Sequence, residues 1–324
     1  MLSSGLFDPL FYGNCYPDVA ESGVDPVDHY LSVGASEGRR PHLLYDGAWY
    51  RAANPDIGQA NPLLHYLRNG RAEGRTIQKH AVVYTAIMGG FDRLRRPTHP
   101  DPDLDYVVFS ETPREGVPEP WICVPDTRWF GNARRTSRYF KTHPHRVLPG
   151  YELSVWIDSA FQIRNLKAES LEPLLGSADI AFFRHPWRDC AYAEAAEVMK
   201  CKMDASESID WTIKQLAANS YPRNAGLVEA GVIIRRHGVA RLEQAMEQWW
   251  QMILNGSQRD QTSINFVLWK EQVQHGIIPG FSRRNEWVYW MGHQPTTWDE
   301  VERLSNFYER EILELQGAIE KAQK

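Results

Sequence analysis

The sequence predicts an α/β protein: a mainly parallel sheet flanked by helices, preceded by a small all-α repeat module and followed by a coiled-coil-like helix. Three observations predict it. From about residue 81, short apolar runs rich in β-branched residues alternate with helical stretches. The first ~80 residues contain an internal repeat. The stretch from about Trp298 carries apolar residues every three or four positions. The expected units are a helical two-repeat module at 1–79, an α/β domain at 80–297 and an amphipathic helix at 298–324.

The repeat is read by aligning Phe7-Asp8, Tyr16-Pro17-Asp18, Asp28-His29-Tyr30-Leu31, Gly34 and Glu37-Gly38-Arg39 with a second set. That set is Tyr45-Asp46, Asn54-Pro55-Asp56, Leu64-His65-Tyr66-Leu67, Gly70 and Glu73-Gly74-Arg75. Each copy reads as a short helix, a Pro-Asp turn, a second helix around His-Tyr-Leu and a glycine stop. Aromatic and leucine positions form its core, with His29 and His65 capping or bridging between copies. Gly34-Ala35-Ser36-Glu37-Gly38 fits the G-x-S-x-G nucleophile pattern, but that elbow needs a strand before it. Here a helix precedes it and the second copy has Ala72 at the serine position, so a catalytic serine is rejected.

Strands are expected at Ala81–Ile87, Tyr106–Ser110, Trp121–Val124, Leu153–Ile157, Ile180–Phe183 and Val232–Ile234, and helices around Ala191–Lys200, Asp210–Ala218, Val239–Leu254 and Thr262–Gln274. In such sheets ligands lie beyond the C-terminal strand ends. The final seam, Val301, Leu304, Tyr308, Ile312, Leu315, Ile319 and Ala322, favours self-association or a junction to further sequence over packing on its own domain.

Composition excludes several classes. A net charge of −5 argues against a surface devoted to nucleic acid. Mean hydropathy is −0.49 and no apolar run reaches the ~18 residues of a membrane span. The first residues lack a secretory pattern, and the four cysteines form no CxxC pair, so reduced thiols in a cytoplasmic setting are expected. No P-loop, GxGxxG, HExxH or EF-hand pattern is present.

Candidate chemistry therefore rests on polar residues at strand ends. The run Ser154-Val155-Trp156-Ile157-Asp158 is an apolar strand ending in a carboxylate. Asp158 either holds a divalent cation against a diphosphate or caps the following turn. Ser257 to Ser263 opens a helix: Ser257 or Asp260 is an N-cap, or Arg259, Asp260 and Gln261 together grip a ligand with several hydroxyls. Cations recur at Arg134-Arg135, Lys141, His145-Arg146, Arg184-His185, Arg235-Arg236-His237 and Arg283-Arg284; their grouping points to an anionic ligand. Asp189 and Glu194 are potential acid/base groups or sugar-hydroxyl ligands, and His293 is a lone histidine, structural or ligating. Trp249, Trp250 and Trp269 read as core, whereas Trp121, Trp187, Trp287, Trp290 and Trp298 lie near loops where an aromatic face can stack on a sugar.

Taken in order, these motifs resemble the TOD/MUCI glycosyltransferase-like family, the former domain-of-unknown-function family 616. The matching stretches are Tyr84-Thr85-Ala86-Ile87 with Gly90-Phe91-Asp92, Arg134-Arg135 to Lys141-Thr142-His143-Pro144-His145-Arg146, Trp156-Ile157-Asp158, and Arg184-His185 to Ala195. Glu229 to His237, Trp249-Trp250 and Ser257-Gln258-Arg259-Asp260-Gln261 follow, so the resemblance covers about 81–295. The N-terminal repeats also look like a module found beside bacterial glycosyltransferases. The resemblance implies a GT-A-like fold, a nucleotide-sugar donor, and a glycan or lipid-linked glycan acceptor in bacterial-type polysaccharide assembly. It places Thr85 and Ala86 beside the nucleotide; Arg135, Lys141, Arg184, His185 and Arg259, read from the sequence itself, are the candidate cations to bind it. Asp158 stands where a D-x-D motif binds Mn or Mg, with His293 as the second metal ligand. Asp158-Ser159-Ala160 lacks the second carboxylate, so side-chain cations are the alternative partners of the diphosphate. Asp260 and Gln261 lie beneath the sugar, consistent with retention, and Asp189 and Glu229 serve the acceptor side or acid/base work. The alternative is a non-catalytic glycan-binding or scaffolding module.

Overall fold

The computed structural model describes residues 1–90, 92–112, 116–292 and positions 312, 313 and 316. The repeats come first, as α1 (Pro9–Cys15), α2 (Pro17–Ser22) and α3 (Pro26–His29), then α4 (Gly47–Ala53) and α5 (Pro62–His65). Asp8 caps α1 by accepting from the amides of Leu10 and Phe11, and Asp46 caps α4 through Trp49. Pro17 and Pro55 sit at first helical positions, so the expected Pro-Asp turns instead start α2 and a 3-10 turn at Pro55–Ile57. α3 and α5 run into π-type turns at Tyr30–Gly34 and Tyr66–Gly70.

The Tyr12 hydroxyl meets His29 Nδ1 at 3.0 Å, and Tyr50 meets His65 at 3.0 Å. The histidines thus tie helices within a copy, not between copies. A Cβ at Gly34 would overlap the Tyr12 hydroxyl, and one at Gly70 the Tyr50 hydroxyl, so both glycines are fixed by close approach. Ser36 lies on an exposed turn, its hydroxyl donating to the Val33 carbonyl at 2.6 Å.

A buried ion cluster joins the repeats to the sheet. Arg40 donates to Asp46 at 2.5 Å and to both oxygens of Asp105, at 2.5 and 3.2 Å. Lys79 lies 3.2 Å from Asp105, and Tyr151 donates to it at 2.7 Å. Burial raises the Asp105 carboxyl, but Arg40 and Lys79 outweigh it and hold the group below the usual range.

The sheet comprises β1 (Ala81–Ala86), β2 (Leu104–Ser110), β3 (Trp121–Pro125), β4 (Leu153–Ile157), β6 (Ile180–Arg184), β7 (Val228–Arg236) and β8 (Gly276–Ile278), in the order β3-β2-β1-β4-β7-β6-β8. β5 (Phe161–Ile163) pairs with β9 (Val288–Trp290) in a separate ribbon. Helices α6 (Ala133–Thr142), α7 (Pro144–Val147), α8 (Ala168–Leu175), α9 (Ala191–Lys200), α10 (Ser206–Ala218), α11 (Ala240–Asn255) and α12 (Ile264–Lys270) connect the strands. The sheet is mostly parallel; β7 runs antiparallel to both β4 and β6. One face packs Val82, Tyr84, Trp156 and Ile233 under α6 and α11, and the other packs Val83, Val155 and Ile234 with Leu171 of α8.

Two expectations change here. The helix expected over 262–274 is a 3-10 turn, Asp260–Thr262, followed by the shorter α12. Trp269 is 45% exposed, set edge-on to Tyr221, rather than core. Of the C-terminal seam only Ile312 is described, and it is exposed; the other positions lie outside the described residues.

Candidate functional site

Strands β1, β2 and β3 step outward in one direction while β4 lies on the other side of β1, so the order reverses between β1 and β4. Connections diverge at such a point and leave a crevice beyond the strand ends. A cleft of about 610 Å³ opens there, lined by Ala86–Met88 at the end of β1 and beyond, Asn132–Arg134 and Arg138 of the α6 region, and Trp156 of β4 with Asp158 and Ser159 after it. Lys202 to Ala205 after α9, with Gln258 and Arg259, close the far wall.

Two carboxylates and two cations form the floor. Trp156 Nε1 donates to Asp158 Oδ1 at 2.6 Å, and Lys141 Nζ lies 3.4 Å from the same oxygen. Lys141 also pairs closely with Asp260 Oδ2, which Arg138 Nε approaches to 3.2 Å; Arg138 Nη1 is 3.8 Å from Asp158. Helical spacing explains the convergence: positions 134, 138 and 141 share one face of α6. Burial depresses the pKa of the Lys141 ammonium, against the pull of Asp158 and Asp260. Burial alone would raise the Asp260 carboxyl, but Arg138 and Lys141 overcome it and hold it at about 2. Asp260 is no helix cap; the Trp249 indole fixes its carbonyl at 3.0 Å.

A second polar group lies along the same sheet edge. Glu194 accepts from Arg188 at 2.7 Å and from the Gln261 amide at 3.1 Å, which orients that amide. Glu229 opens β7, two residues before Gly231, whose carbonyl takes the Asp158 amide at 2.8 Å. It is bonded to Ser282 and approached by Arg283 at 3.4 Å; burial raises its pKa, and Glu194 adds to the rise. Because β7 is antiparallel, its beginning, not its end, faces the ligand edge. Arg235-Arg236-His237 therefore lie at the opposite edge, a correction to their grouping with the ligand-facing cations.

The other expected site residues divide. Ala86, Asp158 and Arg259 line the cleft; Asp260, Lys141 and Gln261 stand behind it, and Thr85 is buried at the end of β1. Arg135 folds back toward the Phe130 carbonyl at 3.5 Å, and Arg184 and Asp189 are exposed, outside the lining. His185 organises a turn: its Nδ1 accepts from the amides of Trp187 and Arg188, and burial, then Arg188 and Arg283, push its pKa down to about 3. His293, Trp298 and Phe91 lie outside the described residues. Of the loop tryptophans, Trp121 is buried against Tyr106, and Trp290 lies under the Arg283 guanidinium at 4.0 Å. Arg138, Lys202 and Asp204 were missed by the sequence reading; the 134-138-141 spacing was the signal for Arg138.

His293 lies outside the described residues, so of the expected metal pair the structure describes only Asp158. Its Oδ1 faces one indole N–H and two cations, the position two residues on is the buried Ala160, and no cluster of three His, Cys, Asp or Glu suited to a metal occurs among the described residues.

No curated protein matches the chain. Among solved structures, the apo form of mouse xyloside xylosyltransferase 1 aligns with 11% identity and a TM-score of 0.36, covering 62% of this chain and 85% of that one. The family model of the TOD1/MUCI70 glycosyltransferase-like domain matches residues 120–281. That span holds α6, both floor carboxylates and both floor cations, and the chain belongs to the TOD1/MUCI70 glycosyltransferase-like domain family.

Proposed function

We propose that the cleft, in a GT-A-like domain, binds a nucleotide-activated sugar and transfers its glycosyl group to a glycan or lipid-linked glycan acceptor. The observation that carries this reading is the paired-ion floor: Asp158 and Asp260 locked by Arg138 and Lys141 beneath a crevice rimmed by Arg134, Lys202 and Arg259. In the proposed step the bond from the anomeric carbon to the diphosphate oxygen breaks, and its electron pair leaves with that oxygen. The acceptor hydroxyl oxygen bonds to the carbon on the same face, and its proton passes to the departing diphosphate. Charge develops on the diphosphate, and Arg134, Arg138, Lys202 and Arg259 are placed to stabilise it, the electrostatic device that supplies much of the rate in such chemistry. Asp260, held anionic, and Gln261 stand behind the cleft, from where the carboxylate charge offsets the electron-poor sugar, which suits retention. Asp158 orients sugar hydroxyls, and Glu229, with its raised pKa, serves the acceptor side.

Bacterial-type polysaccharide assembly, a cytoplasmic setting and self-association through 298–324 complete the proposal; no helix among the described residues is long and apolar enough to cross a membrane. The rival reading, a non-catalytic glycan-binding module, is favoured by Ala160 in place of a second carboxylate. Donor turnover by folded Asp158→Asn and Asp260→Asn proteins tests the proposal. Losses of a hundredfold or more support it; near-wild-type rates in both sink it.

A further inference from the structure

Arg235 is 1% exposed, and the proposed chemistry does not use it. It lies in register with Ser154 of β4, and directly opposed residues of an antiparallel pair share a face. The guanidinium therefore sits beneath α6 with Tyr84. Nη1 donates to the Lys141 carbonyl at 2.5 Å, where the Tyr84 hydroxyl also donates at 3.3 Å, and the Met246 sulfur is 3.7 Å away. The other edge, Nε and Nη2, has no acceptor. That edge is the bidentate fork with which arginine grips anions. Two further polar atoms on this face are also without partners: Ser154 Oγ and, two residues beyond Arg235, His237 Nε2.

Among the described residues no carboxylate pairs with Arg235; burial lowers its pKa and only Tyr84 opposes the shift. A water on the open edge would take its hydrogen bonds and leave the buried charge uncompensated, which is the costly part. We infer that the Nε–Nη2 edge of Arg235, with Ser154 and His237, is a binding site for a small inorganic anion of the chloride class. Neutral imidazoles suit it as donors: burial, then Arg235, holds His237 at about 4, and burial, His143, Arg146 and Arg235 do the same for His145 of α7. A bound anion fixes Arg235, which fixes the Lys141 carbonyl and so the ammonium that meets Asp158 and Asp260.

The test is thermal unfolding of the full chain in chloride or bromide against gluconate at equal ionic strength, with crystals soaked in bromide. Expected are a saturable rise in midpoint of roughly 2–5 °C in the halides, its loss in Arg235→Met, and bromide at the Nε–Nη2 edge. Should Arg235→Met fail to fold, Ser154→Ala is expected to shift the halide response to at least threefold higher concentration. The same response to every salt, a response retained in Arg235→Met or unshifted in Ser154→Ala, or water alone at that edge overturns the inference. None of these readouts uses a nucleotide, so the result stands apart from the proposed glycosyl transfer.

Discussion

Asp260→Asn keeps the shape of the floor and removes one charge. The Asp260 carboxyl is held at about 2 against an ordinary 3.8, a drop of nearly two pKa units. At about 1.4 kcal/mol per unit, that is about 2 kcal/mol of folding stability at neutral pH. The folded pKa is the depressed one, so this contribution is present above pH 4 and is lost as pH falls toward 2; about 1 kcal/mol of it is gone by pH 3. The substitution also leaves Lys141 and Arg138 with Asp158 alone, and stripping a buried ion of a partner costs roughly 3–5 kcal/mol when nothing replaces it. The remaining carboxylate places the expected loss near 3 kcal/mol at pH 7. Urea unfolding of both proteins from pH 7 to pH 3 measures it: the gap is expected to narrow by about 1 kcal/mol. Parallel pH profiles refute the ion-paired floor.

Gly34→Ala drives a Cβ into the Tyr12 hydroxyl and is expected to cost about 1–3 kcal/mol; Tyr12→Phe in the same chain removes the obstructing oxygen and should recover part of that loss, as urea midpoints report. Arg40→Met leaves Asp105 to Lys79 and Tyr151 and takes from Asp46 its Arg40 partner, with an expected cost of about 3 kcal/mol and easier proteolytic release of the repeats. Arg134→Ala or Arg259→Ala should raise the donor KM roughly tenfold with little change in unfolding midpoint, because both rim the cleft. His185 stays neutral down to about pH 3, so activity profiles should show no His185 titration near pH 6; His185→Asn retaining an unchanged profile checks this.

Local pattern made much of the fold legible. Buried strands β1, β2 and β4 read as largely continuous apolar runs because both their faces are covered. The three-residue strands β5, β8 and β9 carry no such signal, and the direction of β7 is set by tertiary pairing, not by its own residues. That one reversal moved Arg235 and His237 away from the ligand edge and brought Glu229 to it. Asp158 was legible because an apolar strand ends on it, and Asp260 because Arg259 and Gln261 flank it. Arg138 left only its helical spacing from 134 and 141 as a signal, since its role arises once α6 lies across the ends of β1 and β4. The inward turn of Trp121 and the exposure of Trp269 likewise depend on neighbours distant in sequence.

The proposed function requires that the cleft hold a nucleoside diphosphate on side-chain cations above a paired-ion floor. Calorimetric titration of the full chain with a panel of nucleoside diphosphates, repeated on Arg138→Met, tests it most directly. A member of the panel is expected to bind the wild-type chain, and Arg138→Met to weaken that binding roughly ten- to a hundredfold. A wild-type chain that binds none of them, or an Arg138→Met protein that binds with undiminished affinity, contradicts it.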